Sequence, residues 1–228
     1  MTYSPLNTIY FDTPTADPGD VVVTDFDQDG LPELTTTFFE FPGGDPLTMI
    51  VYEINPDGTV TDIAGELAIG DTPTDVFGRE NVAADLNGDG YEDYIVSDHG
   101  TDLPPFPGAQ NTVWMSDGEG RYIDASAEFS QSDDFTHSVA VGDIDGDGRQ
   151  DVFFNNLNID DAYVATVNRN GSVVFDAIDV TGVTVYSTVE LADLDGDGQD
   201  EVILGDHGSG NPSVVGDWNG SELVYTDL

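Results

Sequence analysis

Short apolar stretches rich in valine, isoleucine, threonine and aromatic residues recur along the chain, each bounded by glycine, aspartate, asparagine or proline. "DVVVT", "NVAA", "SVAV" and "VELA" are followed, across an acidic turn, by "ELTTTFF", "DYIVS", "DVFFN" and "EVILG". Such runs read as strands, because stiff β-branched and aromatic side chains suit a pleated surface better than a helix. A second pair of apolar stretches follows each first pair. In "LTMIVYEINPDGTVTDIA", "NTVWMSDGEGRYIDA", "AYVATVNRNGSVVFDAI" and "SVVGDWNGSELVYTDL" a turn of the Asn-Gly or Asp-Gly type separates two apolar segments, the local signal of a hairpin. The pattern predicts an all-β chain made of four units with four strands each.

The acidic turns are one motif in four copies: "TDFDQDGLPEL", "ADLNGDGYEDY", "GDIDGDGRQDV" and "ADLDGDGQDEV". Their first aspartates, Asp25, Asp85, Asp143 and Asp193, are spaced 60, 58 and 50 residues apart. The spacing predicts a single domain over 1–228 with repeats at 20–78, 79–136, 137–186 and 187–228. It leaves 1–19 as an N-terminal segment whose "NTIYF" could supply a closing strand.

Each loop position has a physical reading. Positions one, three and five carry Asp25, Asp27 and Asp29; Asp85, Asn87 and Asp89; Asp143, Asp145 and Asp147; and Asp193, Asp195 and Asp197. Position nine carries Glu33, Asp93, Asp151 and Glu201, and the position-seven carbonyls of Leu31, Tyr91, Arg149 and Gln199 are further candidate ligands. Position six is always glycine, as needed where the chain turns sharply around an ion. Position two is always apolar (Phe26, Leu86, Ile144, Leu194) and is expected to pin the loop to the core. Oxygen donors without imidazole or thiolate favour calcium over zinc or copper, with magnesium the lesser alternative because it demands a stricter octahedron. Four Ca²⁺ sites are expected, the second being the weakest by charge because Asn87 replaces a carboxylate.

An EF-hand is excluded. That loop needs an acid at position twelve and helices on both flanks, whereas position twelve here is Thr36, Val96, Phe154 or Leu204 and the flanks read as strands.

Charge narrows the classes of partner. Forty-six acids stand against four basic residues, all arginine, for a net charge of −42. Nucleic acid and anionic lipid surfaces would be repelled. There is no cysteine, so disulfides and thiolate metal sites are excluded, and any staple is of another kind. No apolar run suits a membrane span, and the first residues lack the basic and apolar regions of a signal peptide. Either a cytoplasmic protein or a mature domain without its leader fits. The loops account for fifteen carboxylates, and the remaining acids exceed what they explain; a salty habitat is one candidate cause.

These motifs and their spacing resemble the FG-GAP/VCBS repeats, the calcium-loop blades of the integrin alpha-subunit propeller and of many secreted bacterial proteins. The stretch "NVAADLNGDGYEDYIVSDHGTDLPPFPGAQNTVWMSDGEGRYIDASAEF", with "FTHSVAVGDIDGDGRQDVFF" after it, is especially similar to bacterial members. The resemblance covers roughly residues 20 to 228. It implies a β-propeller of four FG-GAP/VCBS-type four-stranded blades, either a closed four-bladed ring or a section of a larger propeller. It also implies an extracellular or cell-surface module that binds a carbohydrate or protein ligand.

If the acidic loops occupy one rim, the strand two-to-three connections and the links between units fall on the other. His99 and His207 lie there in matching "DHG" tripeptides with Asp98 and Asp206, while His137 and Arg79 each precede a loop's first aspartate by six residues. Arg79, Asp98, His99, His137, Asp206 and His207 are thus candidates for a ligand-binding rim. The competing reading makes "DHG" a turn, its aspartate bonding nearby N–H groups, and Arg79 an ion-pair partner. No nucleophile elbow, phosphate loop or HExxH motif is present, so no catalytic residue is assigned. An enzyme domain acting on polysaccharide through this rim is the alternative reading, and a structural spacer the third.

Overall fold

The computed structural model describes residues 17–39, 43–129, 133–157, 162–167, 172–178, 186–206, 212–219 and 222–227. The strands are β1 (Asp17–Thr24), β2 (Glu33–Phe39), β3 (Leu47–Thr48), β4 (Ile50–Ile54) and β5 (Val60–Asp62), followed by the one-turn helix α1 (Ala64–Leu67). Next come β6 (Ala68–Ile69), β7 (Thr74–Asp75), β8 (Gly78–Ala84), β9 (Asp93–Asp98), β10 (Thr112–Ser116), β11 (Tyr122–Asp124) and the helix α2 (Ser126–Phe129). The remaining strands are β12 (Thr136–Gly142), β13 (Asp151–Asn156), β14 (Ala162–Val167), β15 (Val173–Ile178), β16 (Tyr186–Ala192), β17 (Glu201–Asp206), β18 (Val214–Trp218) and β19 (Leu223–Asp227).

They form four meandering antiparallel sheets, β1-β2-β4-β5, β8-β9-β10-β11, β12-β13-β14-β15 and β16-β17-β18-β19. The second sheet departs from four strands: β6, which follows the first unit, pairs in parallel with β11 at its outer edge through Tyr122 with Ala68 and Ile123 with Ile69. A separate two-stranded ladder joins β3 to β7. The first strands begin at Asp17, Gly78, Thr136 and Tyr186, one to three residues ahead of the repeat boundaries at 20, 79, 137 and 187. Among the described residues no helix is long and apolar enough to cross a membrane.

Three cores lie between successive sheets. Phe26, Val51, Tyr94, Trp114 and Tyr122 fill the first; Leu86, Ile95, Phe129, Val152 and Phe154 the second; and Ile144, Phe153, Val189, Val202 and Leu204 the third. The period-two alternation of a strand explains the allocation, since side chains at successive positions point to opposite faces. On β9, Tyr94 and Val96 enter the first core and Ile95 the second; on β13, Val152 and Phe154 enter the second and Phe153 the third. Both faces of the middle sheets are buried, so their second strands read as almost continuous apolar runs. Trp114 sits within the first core and Trp218 against the third, which makes both tryptophans packing residues between sheets.

The first strands lie side by side in the order β1, β8, β12, β16, and β16 makes no comparable approach to β1. The series of sheets is therefore open, and the closed four-bladed ring allowed by the sequence is not what the described residues form. Position two records the consequence: Phe26, Leu86 and Ile144 are 0%, 1% and 3% exposed because a following sheet covers them, whereas Leu194, on the last loop, is 58% exposed. The candidate closing strand "NTIYF" lies outside the described residues.

Candidate metal loops

Each acidic loop joins the first two strands of its sheet and holds itself in shape by one set of hydrogen bonds, repeated four times. The position-one carboxylate accepts from the position-six glycine N–H, Gly30 to Asp25 at 3.0 Å, Gly90 to Asp85 at 2.9 Å, Gly148 to Asp143 at 2.7 Å and Gly198 to Asp193 at 3.2 Å. The position-three side chain accepts from the N–H of position five, and the position-five carboxylate from the N–H of position seven. The position-nine carboxylate reaches back to the position-two N–H: Glu33 to Phe26, Asp93 to Leu86, Asp151 to Ile144 and Glu201 to Leu194. Backbone donors thus aim the carboxylates, while in the first three loops the buried position-two side chain anchors the loop from below. The glycine is required by geometry, as Gly30, Gly90, Gly148 and Gly198 all have φ between 84° and 95°.

Three loops bring acids together closely enough to share a cation. Oxygen atoms of Asp25, Asp27 and Asp29, of Asp143, Asp145 and Asp151, and of Asp193, Asp195 and Asp197 lie within 4.8 Å of one another in each group. Asp25 Oδ1 is buried without a hydrogen-bond partner, a costly arrangement that a cation would relieve. The donor set therefore fits a hard divalent ion.

The loops are not identical. In the second, Asn87 stands in place of a fourth carboxylate and donates through Nδ2 to the carbonyl of Ser116, and Asp85, Asp89 and Asp93 are not among the close groups. In the third, Asp147 forms an ion pair with Arg149, and Asp151 completes the group instead. Glu33 and Glu201 lie outside the close groups and brace the loops through the position-two N–H.

Burial is the main cause of the unusual acidity of the position-nine groups. It raises Glu33 and Asp93 to about 7 and Asp151 to about 6; the backbone N–H bonds oppose this, and the neighbouring loop carboxylates add to it. Glu201 is raised in the same way. A cation beside these carboxylates would favour their ionised form.

Among the described residues, the candidates of the opposite rim do not form an exposed polar ring. Each first strand carries a bulge where it meets the end of the second strand. Arg79 is the extra residue between Gly78 and Glu80, and His137 is the extra residue between Thr136 and Ser138. Arg79 is exposed, and His137 is largely buried. His99 is fully enclosed, stacked on Phe77 at 4.1 Å and on His137 at 5.3 Å, with Phe135 tilted against it at 4.6 Å. Burial, with the Arg79 charge nearby, lowers His99 to about 4, so the ring is neutral at neutral pH. Asp98 is buried and accepts from the N–H groups of Val76, Phe77 and Gly100, and Gly100 takes φ 67°. The first "DHG" is therefore a turn set into a ring-stacked core. Asp206 is half-buried at the end of β17, opposite Tyr186, and His207 lies outside the described residues.

Two kinds of link between units were not read from the motifs. Asp20 Oδ2 accepts from the N–H of Asn81 at 3.2 Å, and Glu80 Oε2 from the N–H of Val139 at 3.1 Å, so acids at one repeat position tie β1 to β8 and β8 to β12. Position eight does the same for the loops: Glu92 takes the Thr24 hydroxyl, and Asp200 takes the N–H of Asp143. The recurrence of acids at these positions was the available signal, hidden by the abundance of acids elsewhere.

Residues 85–154 match the model of the FG-GAP-like repeat, a span that holds the second and third loops and the strands between them. No curated protein matches the chain.

Proposed function

We propose that this chain, an FG-GAP-type repeat protein by the match over 85–154, is a calcium-stabilised, β-propeller-like module of the adhesion type, an open arc of four blades. The observation that carries the reading is the fourfold recurrence of one loop, with the same backbone clamps on its acids and, in the first copy, a buried oxygen left without a partner.

Asp25, Asp27 and Asp29, the group Asp143, Asp145 and Asp151, and the group Asp193, Asp195 and Asp197 would hold three of the ions. Asp85, Asn87, Asp89 and Asp93 would hold the fourth, more weakly. A bound divalent cation supplies the positive charge that these loops lack, and so acts as a staple in a chain without cysteine. The module belongs outside the cell or at its surface, where calcium is abundant enough for sites of modest affinity. Its partner is a protein or carbohydrate, met by the exposed surface of the blades. No observation favours catalysis by the histidines, because His99 is enclosed and Asp98 is committed to backbone donors.

Calcium titration by calorimetry at neutral pH tests the metal reading. Saturable uptake of three to four ions per chain, lost stepwise in Asp25→Ala, Asp143→Ala and Asp193→Ala, is expected. Heat no larger than that of dilution would overturn it. Glycan-array and cell-surface binding measured with calcium and with chelator then identify the class of partner.

A further inference from the structure

The four loops are not independent of one another. Loops one and two are joined by Gln28 Nε2 donating to the Gly90 carbonyl at 2.6 Å, by the Thr24 hydroxyl on Glu92, and by the Tyr122 hydroxyl, which reaches the carbonyls of Phe26 at 2.9 Å and Glu92 at 3.1 Å. Loops three and four are joined more tightly. The N–H of Asp143 donates to Asp200 Oδ2 at 2.8 Å, and the N–H of Asp200 donates to the Asp143 carbonyl at 2.8 Å. Among the described residues no hydrogen bond joins loop two to loop three. A cleft of about 420 Å³ lies there, lined by Asp85, Leu86 and Glu92 on one side and by Gly148, Arg149 and Gln150 on the other.

Asp200 stands at position eight, between the candidate ligands Gln199 and Glu201 of the fourth loop, and it clamps both main-chain groups of Asp143, the first ligand of the third. The sequence makes room for this contact. Residue 142 is glycine where the corresponding residues are Thr24, Ala84 and Ala192, and a Cβ there would collide with the Asp200 carboxylate.

We infer that the loops bind cations as two coupled pairs, one with two and three with four, and that Asp200 is the positioning residue through which the fourth site presets the third. The inference rests on the calcium reading of the loops. Ordering the fourth loop fixes residues 199 to 201 together, and this holds Asp143 in place before its own cation arrives. Entropy already spent on one loop is not spent again on its partner, which is positive coupling without any change of shape.

The test uses the full chain with ¹⁵N-labelled glycine in molar salt, which screens direct repulsion between the sites. The amides of Gly30, Gly90, Gly148 and Gly198 each donate to a position-one carboxylate and report one loop apiece. Asp200→Ala is expected to move the calcium midpoint of Gly148 upward by about fivefold or more, the range typical of coupled sites. The midpoints of Gly30 and Gly90 should stay where they are. Asp200→Asn keeps an acceptor for the Asp143 N–H and should restore the midpoint, although it lacks the charge. Four amides that titrate with a Gly148 midpoint indifferent to Asp200→Ala overturn the coupling and leave the calcium reading standing. A Gly148 midpoint displaced equally by Asp200→Asn reduces the effect to charge and also overturns it. Amides that ignore calcium in the unmodified chain overturn both.

Discussion

At the scale of single residues, the loops are set by glycine and by the distribution of charge. Gly148 has φ 84° and nothing within 4 Å of where a Cβ would stand, so Gly148→Ala adds backbone strain and no collision. A loss of about 1–2 kcal/mol is expected in denaturant titration without metal, because an L-residue is strained in the left-handed region. A variant as stable as the original would show that the turn is not held in that conformation. Asn87→Asp tests the second loop. It restores a fourth carboxylate but gives up the bond from Nδ2 to the Ser116 carbonyl at 3.0 Å. The chain should become less stable in chelator and gain more from calcium than the original does, as read from paired melting curves.

At the scale of elements, the sheets are held by apolar side chains exchanged across three cores. Phe26 and Leu194 occupy one repeat position in opposite surroundings, at 0% and 58% exposure. Phe26→Ala empties a site ringed by Tyr94 and Tyr122, whose ring centres lie 6.1 and 5.6 Å away, and should cost about 3–5 kcal/mol. Leu194→Ala should change stability by less than about 1 kcal/mol. Equal losses in denaturant would mean that the last loop is covered in solution. This contrast also marks how far the sequence could be read. The strand pairs around each loop, the hairpins after them and the acidic loops between the strands were legible because periodicity and turn residues are local. The position-two pattern promised four buried anchors, and the fourth fails because burial depends on a neighbouring sheet, which no local pattern encodes. The histidines illustrate the same limit. Chain direction places them at the end away from the loops, but whether a ring faces water or Phe77 is decided by tertiary packing. The parallel strand β6 was missed for a related reason, since two residues carry no periodicity.

At the scale of the molecule, the question is how a chain with net charge −42 stays folded. Part of the answer without metal is protonation. Burial raises Glu33, Asp75, Glu80 and Asp93 to about 7 and Asp151 to about 6, whereas carboxyl groups of an unfolded chain titrate near ~4. Between those values the folded chain binds more protons than the unfolded one, so stability is greatest at the acid end of this window and falls as pH rises towards 7. In chelator, the denaturant midpoint should therefore be higher at pH 5.5 than at pH 8, and the opposite order would contradict the buried carboxyls. On the calcium reading proposed above, the ion would take over where protons leave, at neutral pH and above, and binding to the native loops but not to the open chain would add directly to stability.

Thermal unfolding at pH 8, in excess chelator and then in millimolar calcium at the same ionic strength, tests this claim most directly. Several sites filled well above their dissociation constants should raise the melting temperature by about 10 °C or more. Superimposable transitions in the two solutions would contradict it.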